Sequence, residues 1–172
     1  MAYFRCMGNE NSPSVNYDYY VENVDLGRGS HLVTDANIFN TANKSRSYQI
    51  DFKMFTDYGT EAAFIGTDNN ANECNFEVYQ KGSTSYFYLK GFILNDSPLS
   101  QNINNKDVTI LYDGTTGTFT FKIDNEVIDT FTFSSLPSST YDPGYLNIGR
   151  YIGRRTYYLY GYCYYFGFKW LT

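Results

Sequence analysis

Two pairs of acids lie close enough along the chain to be weighed for acid–base work, Glu22-Asn-Val-Asp25 and Glu126-Val-Ile-Asp129. Glycoside hydrolysis needs two carboxylates flanking the bond, one protonated and one ionised. The first pair has no third acid beside it, and the second, with Asp124 two residues before it, falls at a turn, so no catalytic residue is assigned. His31 is the single histidine. Nucleophilic catalysis needs a base within hydrogen-bond reach and a third group to orient it. His31 follows the turn Gly27-Arg-Gly29 and reads as a loop histidine. That turn lacks the further glycine and the Lys-Ser/Thr of a phosphate loop. Asp68-Asn-Asn-Ala-Asn-Glu73 offers oxygen ligands of the kind Ca²⁺ takes, with Asp68, Asn70 and Glu73 as the metal candidates and Asp113 near another turn. Asp and Asn are also the default turn residues, and a solvated turn is the plainer reading. No cofactor is assigned, and Ca²⁺ is the one candidate.

Aromatic and arginine side chains suggest binding more than catalysis. Sugars present an apolar C–H face to rings and a polar rim to Asn, Asp, Gln and Arg. Tyr79, Tyr86 and Tyr88 form one such set, with Tyr86 and Tyr88 facing out if Phe87 and Leu89 face in. Arg150 and Arg154, with Arg155, sit on one late loop and can meet an acidic glycan or a partner protein. A second row, Tyr158, Tyr160, Tyr162 and Tyr164, faces out if Leu159, Gly161 and Cys163 face in. Rows of exposed tyrosines mark a ligand platform or a protein interface. The closing row reads as an interface, or as cross-strand support for a sheet.

These residues sit on strands. Tyr48, Ile50, Phe52 and Met54 alternate with Gln49, Asp51 and Lys53, so one face is expected in the core and the other solvated. Val108, Ile110 and Tyr112 alternate with Thr109, Leu111 and Asp113, and this strand is expected to be covered on both faces. Phe119, Phe121 and Ile123 alternate with Thr118, Thr120 and Lys122. Asp124-Asn125 stands where a two-residue hairpin turn belongs, and both residue types tolerate positive φ. A bulge near Tyr164-Tyr165 would return Phe166, Phe168 and Trp170 to the core. No window keeps a 3.6-residue period. Many short strands joined by turns imply an all-β antiparallel sandwich or jelly roll.

The chain has 172 residues, enough for one domain with a real core. Residues 1–16 are polar and turn-rich and read as an N-terminal arm or linker, with the domain spanning 17–172. A fifth of the residues are aromatic, which suits pleated strands. The formal net charge of −5 argues against nucleic acid as the main partner. The three cysteines are odd in number and far apart, and read as reduced thiols, with Cys163 a small core residue. The chain's start lacks a signal-peptide run, and nothing approaches a membrane span, so synthesis in a cytoplasm and no membrane insertion are expected.

The order of the pieces carries a resemblance. The strand at 48–55 is followed by Phe64-Ile-Gly66, then paired strands, then Val-Thr-Ile-Leu-Tyr-Asp-Gly114. A hairpin across Ile-Asp-Asn-Glu126 comes next, then Leu-Asn-Ile-Gly149 and an aromatic-Gly-aromatic final strand. This resembles the concanavalin A-like lectin/glucanase superfamily in its laminin-G-like form, over roughly residues 17–170. The resemblance implies a concanavalin A-like jelly roll and carbohydrate binding. Catalytic members carry a strand motif Glu-x-Asp-x-Glu, for which no match is found. The tyrosine-rich closing strand and the opening sequence also look like small virion proteins of tailed bacteriophages. The expected function is therefore a non-enzymatic module on a phage virion (tail, fibre or capsid) that attaches to a glycan of a bacterial cell surface. Other virion proteins and a second copy of the chain are the further expected partners. The alternatives are a purely structural assembly or decoration protein and a degenerate glycanase.

Overall fold

The computed structural model describes residues 2–4, 16–27, 30–34, 45–57, 59, 61–68, 74–89, 97–133, 145–152 and 156–172. Among these no α-helix occurs, and fifteen strands do. They are β1 (Ala2–Phe4), β2 (Tyr19–Leu26), β3 (Leu32–Thr34), β4 (Tyr48–Thr56), β5 (Glu61–Asp68), β6 (Cys74–Lys81), β7 (Thr84–Leu89) and β8 (Ser97–Pro98). The chain continues with β9 (Val108–Asp113), β10 (Thr118–Ile123), β11 (Glu126–Thr132), β12 (Tyr145–Ile148), β13 (Arg150–Ile152), β14 (Thr156–Tyr158) and β15 (Gly161–Trp170).

Two sheets face each other. One has six strands in the order β11-β10-β9-β4-β15-β2, the other seven in the order β1-β3-β12-β5-β6-β7-β8. All pairings are antiparallel except β1 with β3. The chain is thus a β-sandwich of the jelly-roll type. Of the segment read as an arm, Ala2–Phe4 joins the edge of the seven-stranded sheet, and residues 5–15 lie outside the described residues.

The period-2 patterns decide which faces meet. Ile50, Phe52 and Met54 of β4, Phe119 and Phe121 of β10, and Phe166 and Phe168 of β15 point inward and are fully buried. They meet Phe64, Val78, Phe87, Leu146 and Ile148 from the other sheet in one core. The rings interlock across the gap, Phe87 lying 5.0 Å from both Phe119 and Phe121 and Phe52 lying 6.2 Å from Phe64. Such rings bury large apolar areas and dominate core energetics.

Two local devices follow the sequence pattern. Asp124 and Asn125 both take positive φ, 51° and 70°, which closes the β10–β11 hairpin as a tight primed turn. The register of β15 against β4 shifts between Cys163 and Tyr165. That bulge changes the phase of the strand, so Cys163 before it and Phe166 and Phe168 after it all reach the core, with Trp170 packed at its margin.

Candidate functional site

The outer face of the six-stranded sheet carries a cleft of about 630 Å³. Its floor is a cross-strand row running Tyr20 (β2), Gly167 (β15), Asp51 (β4), Thr109 (β9) and Lys122 (β10). Side chains opposite one another on such a row stand side by side. Gln49, Leu111, Asp107, Tyr165, Tyr17 and the hairpin residues Asp124 and Asn125 complete the walls.

Asp51 organises the floor. The alternation on β4 reads it as a solvated side chain, but it is only 7% exposed. Its burial is balanced by three donors. Tyr17 Oη and Gln49 Nε2 donate to Oδ2 at 2.9 and 2.6 Å, and Thr109 Oγ1 donates to Oδ1 at 2.5 Å. A buried carboxylate is tolerated when it is hydrogen-bonded in this way. Tyr17 comes from just before β2 and lies across β15 at Gly167. A Cβ at position 167 would sit 2.5 Å from Tyr17 Cε1 and 2.6 Å from Cδ1, so only glycine leaves room for the ring. Tyr17 in turn stacks on Tyr20, centroids 5.6 Å apart and planes 22° apart, and Lys169 Nζ lies 5.5 Å from its ring centre.

A second anchor lies beside the first. Asp107 accepts from Tyr165 Oη at 3.0 Å and forms an ion pair with Lys53 Nζ at 3.0 Å. Burial, and then the neighbouring carboxylates, push the phenols of Tyr17 and Tyr165 far above their ordinary range, so both remain donors at neutral pH. Lys122 has no hydrogen-bond or ion-pair partner among the described residues. The cleft therefore combines stacked rings, fixed carboxylates and one uncommitted ammonium group. That set can orient a polyhydroxylated ligand by hydrogen bonds and ring contact.

The three successive outward positions on β4 are Gln49, Asp51 and Lys53. They keep the spacing of Glu-x-Asp-x-Glu but have an amide and an ammonium group at its ends. Position 49 holds the central acid in place and position 53 neutralises Asp107. Alternation along the strand already contained this set. What it did not contain was Tyr17, Tyr165 and Asp107, which reach the same floor from other strands and loops.

The residues singled out from the sequence lie elsewhere. Tyr79, Tyr86 and Tyr88 are on the outer face of the seven-stranded sheet. Tyr79 pairs with Tyr86 and stacks on it at 5.1 Å and 13°, and is itself 4% exposed; Tyr86 and Tyr88 are half-buried. Arg150 begins the β13–β14 hairpin, whose backbone lies over Gly66 of β5, and its Nη1 donates to His31 Nε2 at 2.6 Å. Arg154, Asn70 and Glu73 lie outside the described residues, as does the side chain of Asp68. Asp113 accepts from Thr115 N at 2.8 Å and Thr116 Oγ1 at 2.9 Å, and these bonds lower its pKa. It thus closes its own turn.

The four tyrosines read as one row come from two strands and the link between them. Tyr158 ends β14 and lies 6.3 Å from the His31 ring, whereas Tyr162 and Tyr164 belong to β15 and meet edge-on at 5.0 Å. Between them Leu159 and, further on, Cys163 turn into the core as the reading expected, while Tyr160 takes φ 50° and meets Tyr158 edge-on at 6.0 Å. Of the four, only Tyr164 is exposed.

No protein-family profile matches the sequence, and no curated protein matches it. Solved structures do match the fold. The CBM40 of the Ruminococcus gnavus IT-sialidase, bound to α2,3-sialyllactose, superposes with a TM-score of 0.67 at 12% identity, over 89% of this chain and 92% of that one. The leech intramolecular trans-sialidase in complex with 2,7-anhydro-Neu5Ac gives 0.64 at 13% identity, over 89% of this chain and 26% of that one. The binding domain of botulinum neurotoxin DC in complex with rat synaptotagmin II gives 0.56 at 14% identity, over 90% of this chain and 40% of that one. At such identities the likeness shows the β-sandwich fold alone.

Proposed function

We propose that the chain is a non-catalytic carbohydrate-binding module whose glycan lies in the cleft on the six-stranded sheet. The observation that carries this is the held carboxylate of Asp51, with three donors fixed around it beneath a stacked tyrosine pair. Preorganised polar groups beside ring faces are what a sugar needs, because little ordering remains for the moment of binding. The sandwich it shares with a sialyllactose-bound module supports the reading. Gln49 and Lys53 at the ends of the β4 triplet leave that strand a single outward carboxylate, already held by three donors, which supports binding over hydrolysis.

The finer form of the proposal places the module on a bacteriophage virion, with a bacterial surface glycan as the target. It rests on the tyrosine-rich closing strand and the opening sequence, which look like those of small virion proteins. Tyr79, Tyr86, Tyr88 and Arg150 remain a second candidate surface on the opposite face of the sandwich. The test is binding to a panel of sialylated and neutral glycans by the wild type, Tyr20→Ala, Lys122→Ala and Tyr86→Ala. The cleft reading expects saturable binding that the first two substitutions weaken roughly tenfold or more and the third leaves unchanged. Loss with Tyr86→Ala alone would move the site to the seven-stranded sheet.

A further inference from the structure

Away from the Asp51 cleft, the same outer face ends in a second concavity with a different chemistry. Asp25 on β2, Tyr162 on β15 and Phe55 on β4 stand opposite one another in one cross-strand row. Opposed side chains on antiparallel strands have Cβ atoms about 5 Å apart, so the three form a continuous wall. With Gly27, Asp57, Tyr160 and Gly161 they line a cavity of about 370 Å³. It shares no lining residue with the first cleft. Gly161 shapes it, since a Cβ there would collide with the carbonyl oxygen of Phe55.

The balance of groups is one-sided. Three aromatic rings and two carboxylates face the space, and no cationic side chain lines it among the described residues. Asp25 and Asp57 are exposed and have no hydrogen-bond or ion-pair partner among the described residues. Phe55 is 37% exposed beside a fully buried Met54, which leaves ring surface unused by the core. Ring faces carry negative potential and attract cations, above all those whose charge is spread over methyl groups. A hard metal ion would want six to eight oxygens, which this wall does not supply. A neutral sugar would leave both carboxylates without a counter-charge.

We infer that this cavity binds a methylated ammonium group, its methyls against Phe55, Tyr160 and Tyr162 and its charge answered by Asp25 and Asp57. Choline-type head groups and trimethyllysine share that chemistry. The test is ligand-observed NMR titration of the full chain with choline, with trimethyllysine, and with 3,3-dimethylbutanol, the uncharged isostere of choline. Saturable choline or trimethyllysine binding is expected, and the stronger of the two names the source. The uncharged isostere should bind at least about tenfold more weakly. Phe55→Ala should weaken cation binding by a similar factor, Phe55→Tyr should retain it, and Asp25→Asn with Asp57→Asn should weaken it and flatten its salt dependence. Phe55 is a surface ring, so circular dichroism and melting of these variants should match the wild type. Absence of saturable binding of either cation, equal binding of the isostere, or indifference to Phe55→Ala would overturn the assignment. None of these outcomes bears on the glycan cleft, whose residues are separate.

Discussion

Replacing Gly167 with alanine tests the construction of the cleft floor. The new methyl would lie 2.5–2.8 Å from three atoms of the Tyr17 ring, closer than carbon atoms approach. Backbone cannot yield at the centre of a paired strand, so the ring must swing away. It then loses its bond to Asp51 and its stack on Tyr20. A hydrogen bond to a charged group contributes about 1.5–3 kcal/mol. Asp51 keeps two of its donors and regains some water, which places the loss near the lower end. Alanine in an extended strand returns about 0.4–1 kcal/mol through the unfolded state. The net cost is therefore about 1 kcal/mol, or roughly 2–4 °C in Tm for a chain of this length. The decisive form is a double-mutant cycle in urea with Tyr17→Ala. With the ring already gone, Gly167→Ala should stabilise by about 0.4–1 kcal/mol, giving a coupling of about 1.5 kcal/mol. Additive effects of the two substitutions would refute the argument that glycine is there to seat the tyrosine.

Alkaline pH should destabilise the fold through the same phenols. Tyr17 and Tyr165 have folded pKa values raised above the ordinary 10. The unfolded chain therefore loses these protons first, and the stability they lend is complete below pH 10 and lost as pH rises toward the folded values. Tm measured between pH 9 and 11 should fall more steeply for the wild type than for Tyr17→Phe/Tyr165→Phe; parallel curves would contradict the burial argument. Cys163 is fully buried, and burial alone pushes its thiol up to about 12. Peptide mapping after thiol labelling at pH 8 should find Cys163 unmodified in the native protein and modified in denaturant, and native labelling would mean the closing strand opens. Glycan binding should change less than about twofold with chelator, because the oxygens of Asp51 are occupied and Lys53 answers Asp107. A calcium-restorable loss would instead direct attention to the loop at residues 68–73.

The parts of this fold that were legible in the sequence are those with a local cause. The alternation in β4, β9 and β10, the Asp124-Asn125 turn and the bulge before Phe166 each depend on neighbours within a few residues. The site was not local. Asp51 looked solvated because alternation reports which way a side chain points, not what arrives from another strand to cover it. Tyr17 reaches it from 34 residues away and Thr109 from 58. The tyrosines of β6 and β7 were visible as a set, but the tight stack of Tyr79 under Tyr86 is a packing fact no spacing records. At the closing tyrosines the inward turn of Leu159 and Cys163 was legible from alternation, whereas the left-handed backbone at Tyr160 was not.

The most direct measurement is a titration of the purified chain against sialylated and neutral glycans, in parallel with Tyr20→Ala and Lys122→Ala. Saturable binding by the wild type that falls roughly tenfold or more in both variants, with unchanged melting, is the expected result. Binding that survives both substitutions, or no binding to any glycan, would contradict the assignment of the cleft on the six-stranded sheet.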